Sequence, residues 1–525
     1  MPKDRGIRRI TSVMTKMLPI GDAPLTIDTL SRVARNRERV FLSENAIQRM
    51  NASRGWIDKI LDSNEAVYGV STGFGELSRI FIPHDKREEL QRNLILSHCA
   101  GVGDRFPEDV ARAIMLLRIN SLAAGYSGIR ASTVQSLADM LNNDVYPVIP
   151  CKGSVGASGD LAPLAHMASV LLGEGSAVVD GREVPGSKAL ARAGLKPVRL
   201  AGKEGLALIN GTQAMTAVAA LVCFDAKHLM KVSDIAASMS LEALQGTRTA
   251  FDPRISMIRA HKGQMTTSKN VLSLTDSSPI IKNHANCEKV QDAYSIRCIP
   301  QVHGASKDAL RRTLEAVDAE MNAVTDNPIV IPETGEIISG GNFHGQPIAL
   351  VMDYLKVALS ELGNISERRV SRLVDINLSN LPMFLTAYPG VNSGFMILQY
   401  TAASLVSENK VLAHPASADS IPTSANQEDH VSMGTIAARQ ARDILENVKL
   451  VMAIEMIAAA QGIDFLSPLS PGVGTAAAHR AIRAVSSHLD EDRVLSPDIL
   501  SVCGVITDNS LLEAVEGAVG ELGVI

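Results

Sequence analysis

Residues 436–460 read IAARQARDILENVKLVMAIEMIAAA, and the spacing of their side chains decides the fold class. Ile444, Val448 and Met452 recur at i, i+4 and i+8, while Arg439, Arg442, Asp443 and Glu446 share another face. That pattern is a long helix with one buried side. Leu355, Leu359 and Leu362 repeat the spacing ahead of Gly363. Stripes of this kind form the core of packed helices. From about residue 209 onward the text is long and helical, which predicts an extended antiparallel bundle.

Composition agrees. The chain has 525 residues, 46% hydrophobic and 20% charged, with only 18 aromatics (one Trp, seven Tyr, ten Phe). Its core is therefore built from Ala, Leu, Val, Ile and Met, which suits packed helices better than sandwiches or barrels. A length of this order predicts roughly three to four domains of ~150 residues, or fewer large ones. The net charge of −5 leaves no basic field for nucleic acid. Lys3, Arg5, Arg8, Arg9 and Lys16 make a basic start with no apolar stretch behind it, so a loose basic tail is expected rather than a secretory signal, and the short length and Asp4 weigh against a transit peptide. The charge-free run 206–224 contains Asn210, Gly211, Thr212, Gln213 and Thr216, and predicts a buried helix rather than a membrane span. Six scattered cysteines without CxxC spacing point to reduced thiols of a cytoplasmic protein, with neither a disulfide frame nor a zinc site.

The first two hundred residues differ in texture, mixing short helical patterns with Gly-rich turns. Residues 178–184 read as a hairpin around Asp180-Gly181, and 329–338 as another around Thr334-Gly335. No other stretch gives a good strand signal. Neither a repeat nor a low-complexity linker divides the chain, and the change near residue 208 is one of texture alone.

Several common catalytic motifs are missing: HExxH, GxxxxGK[ST] and GxGxxG do not occur, and the twelve histidines lack metal-ligand spacing. An ordinary metallohydrolase, NTPase or nicotinamide enzyme is thereby disfavoured, and no metal is expected. The unusual stretch is 153–166, GSVGASGDLAPLAH. On residue types alone it is a Gly/Ser turn entering a helix, with Asp160 as cap and Pro163 in the first turn. The longer string, Ala157-Ser158-Gly159 followed by DLAPL, closely resembles the motif of the histidine and aromatic amino acid ammonia-lyase family. Further matching strings follow in family order: VYGVSTGFG (67–75), LQRNLILSHCAGVG (90–103), GLALINGTQAM (205–215), VQDAYSIRCIPQVHGA (290–305), SGGNFHGQP (339–347) and SANQEDHVSMG (424–434).

That resemblance implies a mainly α fold of the fumarase/aspartase-like type. An N-terminal, mostly helical domain (1–208) would bear the catalytic loops, and a helical bundle domain (209–525) would follow. It also implies a built-in cofactor, 4-methylidene-imidazol-5-one (MIO), cyclised from Ala157, Ser158 and Gly159, with no external organic cofactor. The residue types suit this. Gly159 has no side chain to keep its nitrogen from the Ala157 carbonyl, Ser158 can lose its hydroxyl, and the fold must supply the strain that offsets lost peptide resonance.

By the same resemblance Tyr68 is the base for the β-proton, although a phenol of ordinary pKa ~10 needs positive potential nearby to serve. Asn210 lies near the MIO and the substrate amino group, Tyr294 lies by the MIO, and Arg297 takes the substrate carboxylate with its planar fork. Gln291 and Phe343 are supporting active-site positions. Asp160 assists ring formation from behind or caps a helix. Ser97-His98 and Glu428 match the histidine-specific form, and a carboxylate beside an imidazole can hold its orientation and tautomer. Ser71, where many relatives have Asn, and FHGQP in place of FHAEP depart from the pattern. The implied reaction is nonoxidative loss of ammonia from L-histidine to give trans-urocanate, in a homotetramer with shared active sites and without nucleic-acid or membrane partners. The alternatives are a tyrosine or phenylalanine ammonia-lyase, an aminomutase of the same family, or a noncatalytic helical scaffold.

Overall fold

The computed structural model describes residues 17–63, 67, 69–70, 72–73, 80–284 and 290–524. Among them are 21 α-helices, and four make the centre: Gln213–Ala243, Ile299–Met321, Gln346–Val374 and Gly434–Phe465. The predicted 436–460 helix is the inner part of the last of these. Its stripe residues Ile444, Val448 and Met452 are wholly buried, where Gly434–Phe465 packs on Gln346–Val374 and on Gln213–Ala243. Leu355, Leu359 and Leu362 are buried too, and their helix runs on through Gly363. A Cβ at Gly363 would stand 3.3 Å from a Val448 methyl, so its absence lets these two helices approach.

Helix direction is set by contacts at the ends. Thr212, just before Gln213–Ala243, donates its hydroxyl to Glu320 at 2.6 Å, near the end of Ile299–Met321. At the opposite end the Thr247 amide donates to Asp292 at 2.7 Å, ahead of that same helix. The two therefore run antiparallel.

Buried charge links the four helices. Arg369 donates to both oxygens of Glu455, at 2.5 and 2.9 Å, and Ser240 and Ser366 each donate to the same carboxylate at 2.6 Å. Asp234 meets His303 at 2.9 Å, accepts from Asn270 at 2.8 Å and pairs with Lys307. Charges this deep persist only when each oxygen has a partner.

The strands are short. Ser176–Val179 and Arg182–Pro185 form the expected hairpin, with Asp180 at φ 52° and Gly181 at φ 73° as a primed turn requires. Ile329–Val330 pairs with Ile337–Ile338 as read from the sequence. Three further pairings escaped that reading: Leu18–Ile20 with Val40–Leu42, Val102–Arg105 with Pro150–Lys152, and Tyr146–Pro147 beside Ser176–Val179. Segments of two to four residues are too short to display a period of two. The run 206–224 is also corrected. It is buried as expected but is two helices, Glu204–Ile209 and Gln213–Ala243, broken at Asn210–Thr212. No helix among the described residues is long and apolar enough to cross a membrane.

Two stability predictions follow from the buried charges. Glu455→Ala leaves Arg369 uncompensated and should lower the unfolding free energy by ~3–5 kcal/mol in urea titration; a loss below ~1 kcal/mol would contradict the pairing. Asp464, at the end of Gly434–Phe465, would be raised by burial alone. Hydrogen bonds from His479 and His488 and the charge of Arg483 instead bring it down to about 2. A carboxyl depressed in the folded state stabilises above its unfolded pKa of ~3.9 and loses that contribution as pH falls toward 2. Asp464→Asn should therefore flatten the stability profile between about pH 4 and pH 2, by ~2 kcal/mol at most.

Candidate active site

The break in the apolar run creates the site. At Asn210–Thr212 the chain leaves helical geometry, with Gly211 at φ 153°, and its backbone lies alongside Gly159 as a short parallel bridge. The Asp160 amide donates to the Gly211 carbonyl at 2.7 Å. Gly159 has φ 70°, and a Cβ on it would stand 2.1 Å from the Gly211 oxygen, so both torsion and space demand glycine. On the opposite flank the Met433 amide donates to the Val155 carbonyl at 2.9 Å, and the Ser432 hydroxyl to Gly156 at 3.1 Å. Loop 153–159 is thus held between two rigid walls.

Asp160 occupies the cap position of Leu161–Leu171 but makes no side-chain bond to that helix. It reaches a different one. Its Oδ2 accepts from the Met215 amide at 2.8 Å, in the first turn of Gln213–Ala243, where an anion is favoured by unpaired amides and the helix dipole. Its Oδ1 accepts from Ser154 at 2.9 Å and from the Thr435 hydroxyl. Burial raises the Asp160 pKa, and these donors oppose the rise.

Ser158 is gripped from two sides. Its hydroxyl donates to Glu428 Oε1 at 2.9 Å, and its carbonyl accepts from Asn210 Nδ2 at 3.3 Å. Thr423 holds the other Glu428 oxygen at 2.8 Å. The Asn210 Oδ1 is buried without a partner among the described residues. His98 ends the helix Arg87–His98, with Nδ1 3.1 Å from the Ser97 hydroxyl. Burial lowers its pKa while the nearby Glu428 charge acts against that, so the ring is neutral near pH 7. Phe343 is half-buried in the same quarter: the adjacent His344 stacks on His430 at 5.6 Å, and Gly345 packs on Met215. Tyr68 and Ser71 lie outside the described residues.

Gln291, Tyr294 and Arg297 stand elsewhere. Tyr294 is 70% exposed, with the Arg297 guanidinium 4.6 Å from its ring centre. Gln291 and Arg297 line a cleft of about 600 Å³, and the Arg297 Nε is buried without a partner among the described residues. This cluster sits beyond the end of Gln213–Ala243, where Gly246 packs on Ile296, whereas Asp160 binds that helix at its start. Thirty-one residues of helix, ~45 Å at ~1.5 Å each, separate the two groups.

Ser154, Thr435 and Arg118 were not singled out from the sequence. Arg118 had a signal: it is the only charge in 113–123, AIMLLRINSLA. Ser154 and Thr435 had none, because the contacts that give them a role come from tertiary packing. Among the described residues no group of three or more His, Cys, Asp or Glu could hold a metal ion.

A family model for aromatic amino acid lyases matches residues 25–484. The chain belongs to that family. A histidine ammonia-lyase of Gloeobacter violaceus is 52% identical over 511 residues, covering 97% of this chain and 99% of its own length. Among solved structures, a histidine ammonia-lyase from Trypanosoma cruzi superposes with a TM-score of 0.89 at 42% identity, covering 96% of each chain. A tyrosine aminomutase from Streptomyces globisporus superposes at 0.92 with 37% identity, covering 97% of this chain and all of that one. The lyase fold therefore has this mainly helical form in an ammonia-lyase and in an aminomutase alike.

Replacing Asp160 by Ala strands the Ser154 and Thr435 hydroxyls and the Met215 amide. The variant should unfold with ~1–3 kcal/mol less free energy than the parent in urea, and an unchanged midpoint would show that these contacts carry no weight.

Proposed function

We propose that this lyase removes ammonia from L-histidine without oxidation, leaving trans-urocanate, at active sites completed by neighbouring copies of the chain. The observation that carries this reading is the Glu428 carboxylate at the Ser158 hydroxyl, with His98 within range of its charge. A carboxylate there accepts an imidazole N–H and holds the ring in one orientation. A phenyl ring has no such proton to offer, so the same carboxylate would stay unpaired against it. The histidine ammonia-lyases among the relatives support the same substrate.

Ala157, Ser158 and Gly159 suit the MIO: Gly159 has no side chain where one would collide, Ser158 presents its hydroxyl, and the loop is clamped on both flanks. The MIO supplies an electrophilic methylidene that turns the substrate amine into a better leaving group. Around it, the free Asn210 Oδ1 accepts from the amino group of the substrate. Tyr68 removes the β-proton. Arg297 binds the carboxylate through its fork, with Gln291 and Tyr294 beside it, and Phe343 adds apolar surface. His98, kept neutral by burial, offers the imidazole a hydrogen-bond partner without a competing positive charge.

One chain cannot assemble this set, because the helix Gln213–Ala243 holds Arg297 ~45 Å from Ser158. A second copy must bring its own Arg297 to the loop. Leu350, Tyr354 and Val357 support such packing, since they expose 55%, 52% and 49% of their surface along one face of Gln346–Val374. A homotetramer satisfies both requirements.

Incubation of the purified protein with histidine, tyrosine and phenylalanine separately should yield urocanate from histidine alone; cinnamate, coumarate or a β-amino acid as the main product would overturn the reading. Intact mass should be lower than the sequence mass by two waters, and Ser158→Ala should abolish turnover. Glu428→Gln should reduce kcat/KM for histidine by ~10- to 100-fold, as expected for weakening a charged hydrogen bond. Light scattering should give the mass of four chains.

A further inference from the structure

Arg118 lies on the helix Glu108–Ala123 with its side chain wholly buried. No carboxylate forms a salt bridge with it among the described residues; the nearby Asp326 pairs with Lys203 at 3.0 Å. The guanidinium holds oxygens at the helix break instead. Nη1 donates to the Asn210 carbonyl at 2.9 Å and to Gln213 Oε1 at 2.7 Å, while Nη2 donates to the Ala207 carbonyl. Gln213 is itself tied, donating to the Thr325 hydroxyl at 2.8 Å. Burial pushes the Arg118 pKa down to about 10, which still leaves it charged at neutral pH.

Gly211 is pressed between this fork and the catalytic loop. A Cβ on Gly211 would lie 2.5 Å from Arg118 Nη1 and 2.4 Å from Gln213 Oε1. On the other side, a Cβ on Gly159 would lie 2.1 Å from the Gly211 oxygen. The order of packing is therefore Arg118, Gly211, Gly159. Glu204–Ile209 ends against the same guanidinium, a favourable place for a cation because unpaired carbonyls gather there.

We propose that Arg118 is the positioning residue for maturation of the Ala157-Ser158-Gly159 loop. Its fork fixes the Asn210–Gly211 backbone as a rigid wall behind Gly159 and aims the Asn210 amide at the Ser158 carbonyl. This rests on the MIO reading above and deepens it. In ring closure the Gly159 nitrogen bonds to the Ala157 carbonyl carbon. The carbonyl oxygen leaves as water with the amide protons of Gly159 and Ser158, and a C=N bond forms. The second water takes the Ser158 hydroxyl and its Cα proton, leaving the exocyclic double bond. Nothing is oxidised or reduced. Both losses need the loop held in a compressed conformation that a relaxed wall at Gly211 would release.

Arg118→Lys keeps the buried charge but cannot span the same three oxygens. Arg112 on the same helix provides the control, because it is equally buried and also forks to carbonyls, at Val33 and Leu141, away from the loop. Full-length parent, Arg118→Lys, Arg118→Met and Arg112→Lys would be purified, checked for folding by circular dichroism and thermal melting, digested, and the peptide carrying residues 153–166 weighed. The expected result is complete loss of two waters in the parent and in Arg112→Lys. Arg118→Lys should leave at least half of the peptide at a higher mass, and Arg118→Met nearly all of it. Should Arg118→Met fail to fold, Arg118→Lys decides. Wild-type maturation in folded Arg118→Lys would overturn the inference, and so would an equal deficit in Arg112→Lys, which would mean that any buried fork on this helix has the same effect. A parent peptide at full sequence mass would sink the MIO reading itself, a result distinct from either.

Discussion

The carbonyl of Gly211 lies so close to Gly159 that a methyl group on Gly159 would force the two backbones apart, and the candidate active site takes its geometry from that contact. It requires a break in an otherwise helical apolar run, because an uninterrupted helix would turn the Gly211 carbonyl along its own axis. The break frees Asn210 to face Ser158. It also starts a new helix whose first amides receive Asp160. A loop, a helix end and an amide side chain are thereby located by one close approach of main chains.

The length of the central helices gives this arrangement its second constraint. Helices of 31 and 32 residues bury wide apolar stripes, and pairs such as Arg369–Glu455 hold their register where only one alignment leaves every buried oxygen bonded. The same length carries Arg297 and Tyr294 far from Ser158. A long bundle is stable as a scaffold, yet it separates the residues proposed to act at one reaction centre, which is why the proposed assembly draws on the apolar face with Tyr354 and Val357.

Several elements are legible in the amino-acid order alone. Ile444, Val448 and Met452 disclose their helix because a period near 3.6 needs only local sequence. Asp180-Gly181 discloses its hairpin because two left-handed residues in succession suit few other turns. Ala157-Ser158-Gly159 stands out only through the longer string, running on into DLAPL, that resembles the family motif. Other readings needed correction for one common reason. Asp160 reads as support for the loop or as the cap of the helix it precedes; it stands at that cap position, but its carboxylate bonds Met215, 55 residues away, rather than that helix. The 206–224 run reads as one helix, but contacts from Arg118 and Gly159 stabilise a break that local propensity does not announce.

The sequence by itself determined that the chain is mainly helical, which face of Gly434–Phe465 and of Gln346–Val374 is buried, and where the family motifs stand along the chain. Those properties belong to residue types and to spacings within a few turns. Only the tertiary structure decided that Glu428 meets Ser158, that Arg118 backs Gly211, and that Arg297 lies a full helix length from the loop it is proposed to serve. Each joins positions tens to hundreds of residues apart, and such contacts are selected by packing and by the cost of leaving buried polar groups unpaired, neither of which local sequence encodes.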